Sequence, residues 1–204
     1  ENIDGLSQLM AVPAIGFGAH EAATHYLAFF WGGLMIGRFM GAVALGGMRR
    51  RLKNLLMVSM PCLAFLVTGA LTTWNEALHY GVPLILLLLA FFLGQASAPR
   101  MLVLFSLVII GLLATGMIAS GETAKWAVIG IGLFCSVMWS NIFALAIEGL
   151  GPMKSQASSL LVMAILGGAL LPPMQGLIAD KFGIQLSFVV PMVAFAYLTF
   201  YGLY

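Results

Sequence analysis

Residues 101–119 read MLVLFSLVIIGLLATGMIA, nineteen positions without a charge. About 20 apolar residues carry a helix across the hydrocarbon layer of a membrane. A transmembrane β-strand would instead show about 10 residues of alternating polarity. Here the apolar character is continuous, as it is over Val82–Leu93. A helix also pairs its backbone polar groups within its own segment, which lipid demands. The stretch therefore reads as a membrane-spanning helix.

The rest of the chain repeats this pattern. Of the 204 residues, 62% are hydrophobic and 8% charged, against about 25% charged in a soluble domain. Too little polar surface exists to cover a water-facing globule. At about 20 residues per span the chain holds seven or eight helices joined by short loops. Spans are expected at 22–48, 54–72, 81–97, 99–119, 124–148, 156–178 and 184–204. Residues 1–12 read as the end of an eighth helix. The first residue is Glu1 and the last, Tyr204, closes an apolar run. Both ends read as cut, so the chain is expected to be part of a longer one. The loops are too short to hold a soluble domain.

The charges lie in the gaps. One gap holds Arg49, Arg50, Arg51 and Lys53. The next, Thr72–Tyr80, holds Glu76 and neither Lys nor Arg. Then follow Arg100, Glu122 with Lys125, Lys154, and Asp180 with Lys181. If the Arg49–Lys53 gap is cytoplasmic, alternation places six of the nine basic residues inside and two outside, with Arg38 in the membrane. Glu21, Glu76, Glu122 and Asp180 then lie outside and Glu148 inside. That bias follows the positive-inside rule.

Several motifs yield little. His20-Glu21-Ala22-Ala23-Thr24-His25 lacks the four-residue histidine spacing of a helical zinc site and reads as a polar membrane-entry segment. Cys62 and Cys135 sit in apolar runs and form neither a disulfide framework nor a metal set. Gly130-Ile131-Gly132 lies within a lipid-length helix, where small residues let helices approach closely. No phosphate-binding loop is present. No metal, cofactor or nucleic-acid partner is expected.

The polar residues inside the spans are more informative. Arg38, in Trp31–Gly41, reads either as a charge partner in a gate or as a snorkelling side chain near the inner surface. Glu1 reads as an intramembrane carboxylate able to hold substrate or a proton, and Asp4 as a wet one. Ser136, Trp139, Ser140 and Phe143 recur at i, i+3, i+4 and i+7, with Asn141 on the flank. On one continuous helix that places hydroxyls and rings on one face. Such a face suits a sugar, which offers hydroxyls and an apolar ring face. It also suits ordinary interhelical hydrogen bonding. Gly167-Gly168 and Pro172-Pro173, followed by Gln175, predict a helix that bends beside a pathway.

Four stretches together resemble a known family. They are 132–136 (GLFCS), 142–151 (IFALAIEGLG), 158–168 (SSLLVMAILGG) and 172–180 (PPMQGLIAD). They look like the C-terminal half of the fucose/proton symporter family, sugar permeases of the major facilitator superfamily that include glucose/galactose-type members. Trp31–Gly41 resembles the family's eighth helix, Arg49–Lys53 its basic cytoplasmic loop, and Glu1-Asn2 the acidic patch of its seventh helix. The likeness covers 1–53 and 99–204.

The resemblance implies an all-α integral membrane fold of two six-helix halves, with the N-terminal half absent here. It implies sugar bound between the halves and alternating access driven by a proton. The main coupling carboxylates lie in the absent half, so none is named. Residues 54–97 look like an added two-helix hairpin. Substrate contacts are expected from Glu1, Ser136, Trp139, Asn141 and Gln175, and gating or charge pairing from Arg38 and Glu148. The expected setting is a bacterial inner membrane, with no chemistry performed on the substrate. The alternatives are a carrier for another solute such as a drug, a membrane-embedded enzyme, and a non-transporting scaffold.

Overall fold

The computed structural model describes residues 19–45, 48–94 and 97–204. Its helices are α1 (Ala19–Leu45), α2 (Arg50–Leu71), α3 (Trp74–Gly94), α4 (Ala98–Ile118), α5 (Glu122–Cys135), α6 (Met138–Ile147), α7 (Lys154–Met163), α8 (Gly167–Phe182), α9 (Ile184–Ser187) and α10 (Val189–Leu203). Short 3₁₀ turns at Gly151–Met153 and Ala164–Leu166 precede α7 and α8. These pieces make seven helical segments long and apolar enough to cross a membrane. The chain is an all-α, multi-pass membrane protein.

Helix α4 is the central post. It packs against α10, α5, α6 and α3. Phe105 of α4 meets Phe134 of α5 and Phe91 of α3 edge-on, with ring centres 5.5 and 5.2 Å apart. Edge-to-face pairs of this kind add to simple area burial. Helices α2 and α3 form a hairpin whose contacts run to α1, α4 and α5.

Helix α1 lies on α5 through missing side chains. The carbonyl oxygen of Phe30 sits where a Cβ on Gly132 would come within 2.6 Å. Opposite it, a Cβ on Gly37 would collide with the Ser136 hydroxyl and stand 2.6 Å from the Leu133 carbonyl oxygen. One on Gly41 would meet Val137. Without a hydrophobic driving force between helices in lipid, such close backbone approach supplies the attraction by dispersion.

Three boundaries depart from expectation. Helix α3 begins at Trp74 rather than near 81, so the gap before it is short and Glu76 and His79 belong to a helix. The expected single span 124–148 is broken at Ser136–Val137. Val137 takes φ −108° and ψ 0°, the sparsely populated bridge region. The hydroxyls of Ser136 and Ser140 donate back to the carbonyls of Leu133 and Val137, at 2.6 and 3.0 Å. Back-bonding of that kind bends helices, and the tight seat against Gly37 and Gly41 fixes the bend here.

In the sixth membrane-length segment, Gly151–Phe182, the bend also falls earlier than the prolines. Pro172 and Pro173 lie inside α8, whereas the interruption is the 3₁₀ turn at Ala164–Leu166. A proline ring clashes with the carbonyl four residues back and removes its hydrogen bond. The disturbance is thereby displaced toward Gly168 and the turn before it.

Replacing Gly37 with Leu should lower the melting temperature of the purified full-length protein, at a cost of about 1–3 kcal/mol from overpacking. Gly32→Ala, five residues away, should leave melting level or raised, because a Cβ there meets nothing within 4 Å. Equal melting of the two variants would refute the α1–α5 seam as the source of close packing.

Candidate functional site

The break at Ser136–Val137 decides where the expected binding residues go. It prevents them from sharing one face. Ser136 is buried, with its hydroxyl engaged by the Leu133 carbonyl and pressed against Gly37 of α1. Trp139 and Ser140, past the break, are exposed, and the Trp139 ring tilts against Phe143 at 6.4 Å. The single hydroxyl-and-ring face expected from the spacing is thus divided between a buried helix contact and an open surface.

Asn141 is buried, and its side-chain Nδ2 finds no partner among the described residues. An unpaired buried amide costs about 1–3 kcal/mol, and such groups in native structures point to a water, ion or ligand. Gln175 of α8 reaches toward Ser187 of α9, donating from Nε2 to Oγ at 3.4 Å. That long contact leaves its amide largely uncommitted. Glu148 is the exposed C-cap of α6, followed by Gly149 at φ +74°. Arg38 is exposed on α1, on the same helix side as Trp31 seven residues earlier, which is 60% exposed. No ion pair joins Arg38 to Glu148 among the described residues. Glu1 lies outside the described residues.

Trp139 and Ser140 are exposed, and no residue of Gly151–Phe182 is fully buried. The most apolar window of that last segment buries none of its residues. Elsewhere the long helices bury up to 61% of such a window, in Glu122–Ile147.

A second polar constellation was not expected from the sequence. At the end of the bundle where α3 and α5 begin, Lys125 is buried to 2% exposure. Its ammonium donates to Glu122 Oε1 at 2.6 Å and to the Tyr26 hydroxyl at 2.9 Å. It also stands 4.0 Å from the centre of the Tyr26 ring, a cation–π distance. The Tyr26 hydroxyl donates onward to Glu76 Oε1 at 3.3 Å, and His25 Nε2 lies 3.4 Å from the same oxygen. Trp126 donates its indole N–H to the other Glu122 oxygen at 2.9 Å. His79 stacks on the Trp126 ring at 6.0 Å, and Phe29 meets it edge-on at 5.3 Å.

The cluster ties α1, α3 and α5 together. Lys125, expected as a wet loop charge, is instead a buried hub. A sequence signal existed in the i, i+3 spacing of Glu122 and Lys125. The partners at 26 and 76 carried none. Among the described residues no group of His, Cys, Asp or Glu is arranged to hold a metal ion.

The burial of this pair is unequal. The Lys125 side chain is 1% exposed and that of Glu122 44%. Glu122→Gln should therefore destabilise the protein by about 1–3 kcal/mol, because it leaves a buried ammonium short of its charged partner. Lys125→Met should cost less, since water reaches the freed carboxylate. Melting curves of both variants and the double variant measure this, and a larger loss for Lys125→Met would contradict the assignment of Lys125 as the desolvated partner.

No protein-family model and no solved structure matches the chain. Curated proteins do match it. It is 33% identical over 198 residues to a protein named glucose/galactose transporter from Brucella abortus, covering 97% of this chain and 36% of that protein. A putative glucose/galactose transporter of Helicobacter pylori is 29% identical over 188 residues, or 90% of this chain and 34% of its own length. The L-fucose-proton symporter of Escherichia coli is 29% identical over 119 residues, covering 53% of this chain and 27% of the symporter. These relatives are named for transport and none for catalysis, which sets the membrane-enzyme reading aside. The chain is thus similar over nearly all of its own residues to glucose/galactose transporters and over about half of them to an L-fucose-proton symporter, and it spans about a third of the length of the curated relatives it matches.

Proposed function

We propose that this chain forms the C-terminal half of a proton-coupled sugar permease working by alternating access in a bacterial inner membrane. The observation that carries the reading is the open side of the bundle. A membrane-length segment, Gly151–Phe182, packs so marginally that its most apolar window buries nothing, yet it carries Gln175 and the proline pair. Lipid would gain nothing from the half-buried Gln175 amide, whose one side-chain partner is the long contact to Ser187. A facing second half, from the portion of the relatives that this chain does not span, would turn that surface into the wall of a cavity. Helices α2 and α3 form a hairpin against α1, α4 and α5, and in this reading 54–97 is an accessory element.

In this reading Trp139 supplies a flat apolar plate for the sugar ring. Asn141 and Gln175 supply amide donors and acceptors for its hydroxyls. Asn141 becomes available when the joint at Ser136–Val137 flexes and turns α6. Ser136 contributes through that joint, with its hydroxyl held by Leu133, and Glu1, outside the described residues, would add a carboxylate. Arg38 and Glu148 act at the inner mouth by charge pairing with the facing half. The six basic residues on one side of the spans orient that mouth to the cytoplasm.

The test is hexose uptake by the full-length protein in proteoliposomes under an inward proton gradient. Asn141→Ala, Gln175→Ala and Trp139→Ala should each reduce uptake of the transported sugar by about tenfold or more, equivalent to about 1.4 kcal/mol per lost contact. Absence of uptake for glucose, galactose and fucose alike would overturn the sugar assignment. Uptake that ignores the gradient would overturn the coupling alone.

A further inference from the structure

A groove of about 490 Å³ runs between α1 and α2 on the flank of the bundle, apart from the open wall. Its sides are two matching helical stripes. Gly32, Met35 and Phe39 come from α1, and Ala64, Val67 and Leu71 from α2. Met35, Phe39, Val67 and Leu71 remain 46–79% exposed, so the groove opens sideways, where a membrane-spanning bundle meets hydrocarbon. At Gly32 the floor is empty, since a Cβ built there touches nothing within 4 Å.

Polar groups gather at one end, where His25 and Thr72 close the groove beside the start of α3. From His25 to Phe39 is 14 residues, or about 21 Å of helix. That is somewhat more than half of a hydrocarbon core about 30 Å thick.

We infer that this groove is a binding site for one acyl chain of a membrane phospholipid, with the glycerol end of the lipid beside His25 and Thr72. Three physical arguments converge on that occupant. Water is excluded, because a buried water needs two to four polar partners and the walls along the length are carbon. An empty groove would forfeit the dispersion contacts of every side chain lining it. A whole helix is too broad to enter the groove and could send in only side chains. The volume spread over about 21 Å gives a cross-section of roughly 25 Å², the girth of one hydrocarbon chain and about a third of that of a helix 10 Å across. The one-ended polarity then matches an amphiphile lying along the bilayer normal. On the proposed orientation it belongs to the outer leaflet. The bound chain serves as a wedge holding the α2–α3 hairpin against α1.

The full-length protein, reconstituted in phosphatidylethanolamine vesicles with a trace of phospholipid bearing a diazirine on one acyl chain, tests this on irradiation. Labels should concentrate on 28–39 and 60–71, above the level on other outward residues such as Val193 and Phe200. In Gly32→Leu/Ala64→Leu, which fills the groove, they should fall by about tenfold while the labels on Val193 and Phe200 stay. Native mass spectrometry of the unaltered protein in detergent should show one retained phospholipid, a readout independent of how well the variant folds. Uniform labelling of all outward faces, no retained phospholipid, or photocrosslinks showing residues 1–18 seated in the groove would each overturn the inference. None of these measurements requires transport, so the sugar-permease reading stands or falls separately.

Discussion

The contact of α1 with α5 governs the rest of the bundle. Gly37 and Gly41 of α1 and Gly132 of α5 let two backbones meet where side chains would hold them apart. Packing in lipid rests on such closeness, because burying an apolar side chain away from other apolar tails gains little. The same contact places Ser136 and Val137 against Gly37 and Gly41 and gives the helix break a fixed seat. Beyond the break α6 leaves the core direction, presents Trp139 outward and carries Asn141 inward. The division of polar groups between core and open wall follows from one crossing of two helices.

Much of this was legible in the sequence. The central post was expected at 99–119 and lies at Ala98–Ile118, because an uninterrupted apolar run has one lipid-compatible solution. Arg49–Lys53 was expected to fill a gap between spans, and the structure instead places Arg50, Arg51 and Lys53 in the first turn of α2, with Arg49 as its N-cap. The start of α3 was hidden for a physical reason. Asn75, Glu76 and His79 look like loop residues by polarity. They remain helical because Glu76 accepts from Tyr26, 50 positions away, and His79 stacks on Trp126.

The break at Ser136–Val137 left no such trace. Neither proline nor glycine marks it, and its cause lies on another helix. For the same reason a periodicity argument placed Ser136 beside Trp139 when the fold separates them. Lys125 shows the general limit. A lysine near a glutamate at a helix start is commonly a solvated pair. Only the arrival of Tyr26, Trp126 and their ring neighbours removes it from water.

That hub also bears on how the chain enters the membrane as it is made. Lysine is among the residues least welcome in a nascent membrane helix. Here its carboxylate partner lies three residues earlier on the same helix, so the ion pair forms as soon as that turn coils. The remaining partners, Tyr26 and Glu76, belong to helices synthesised before it. Every group that stabilises the charge is therefore already present when α5 emerges, and nothing later in the chain is needed to settle it at the boundary of the bilayer.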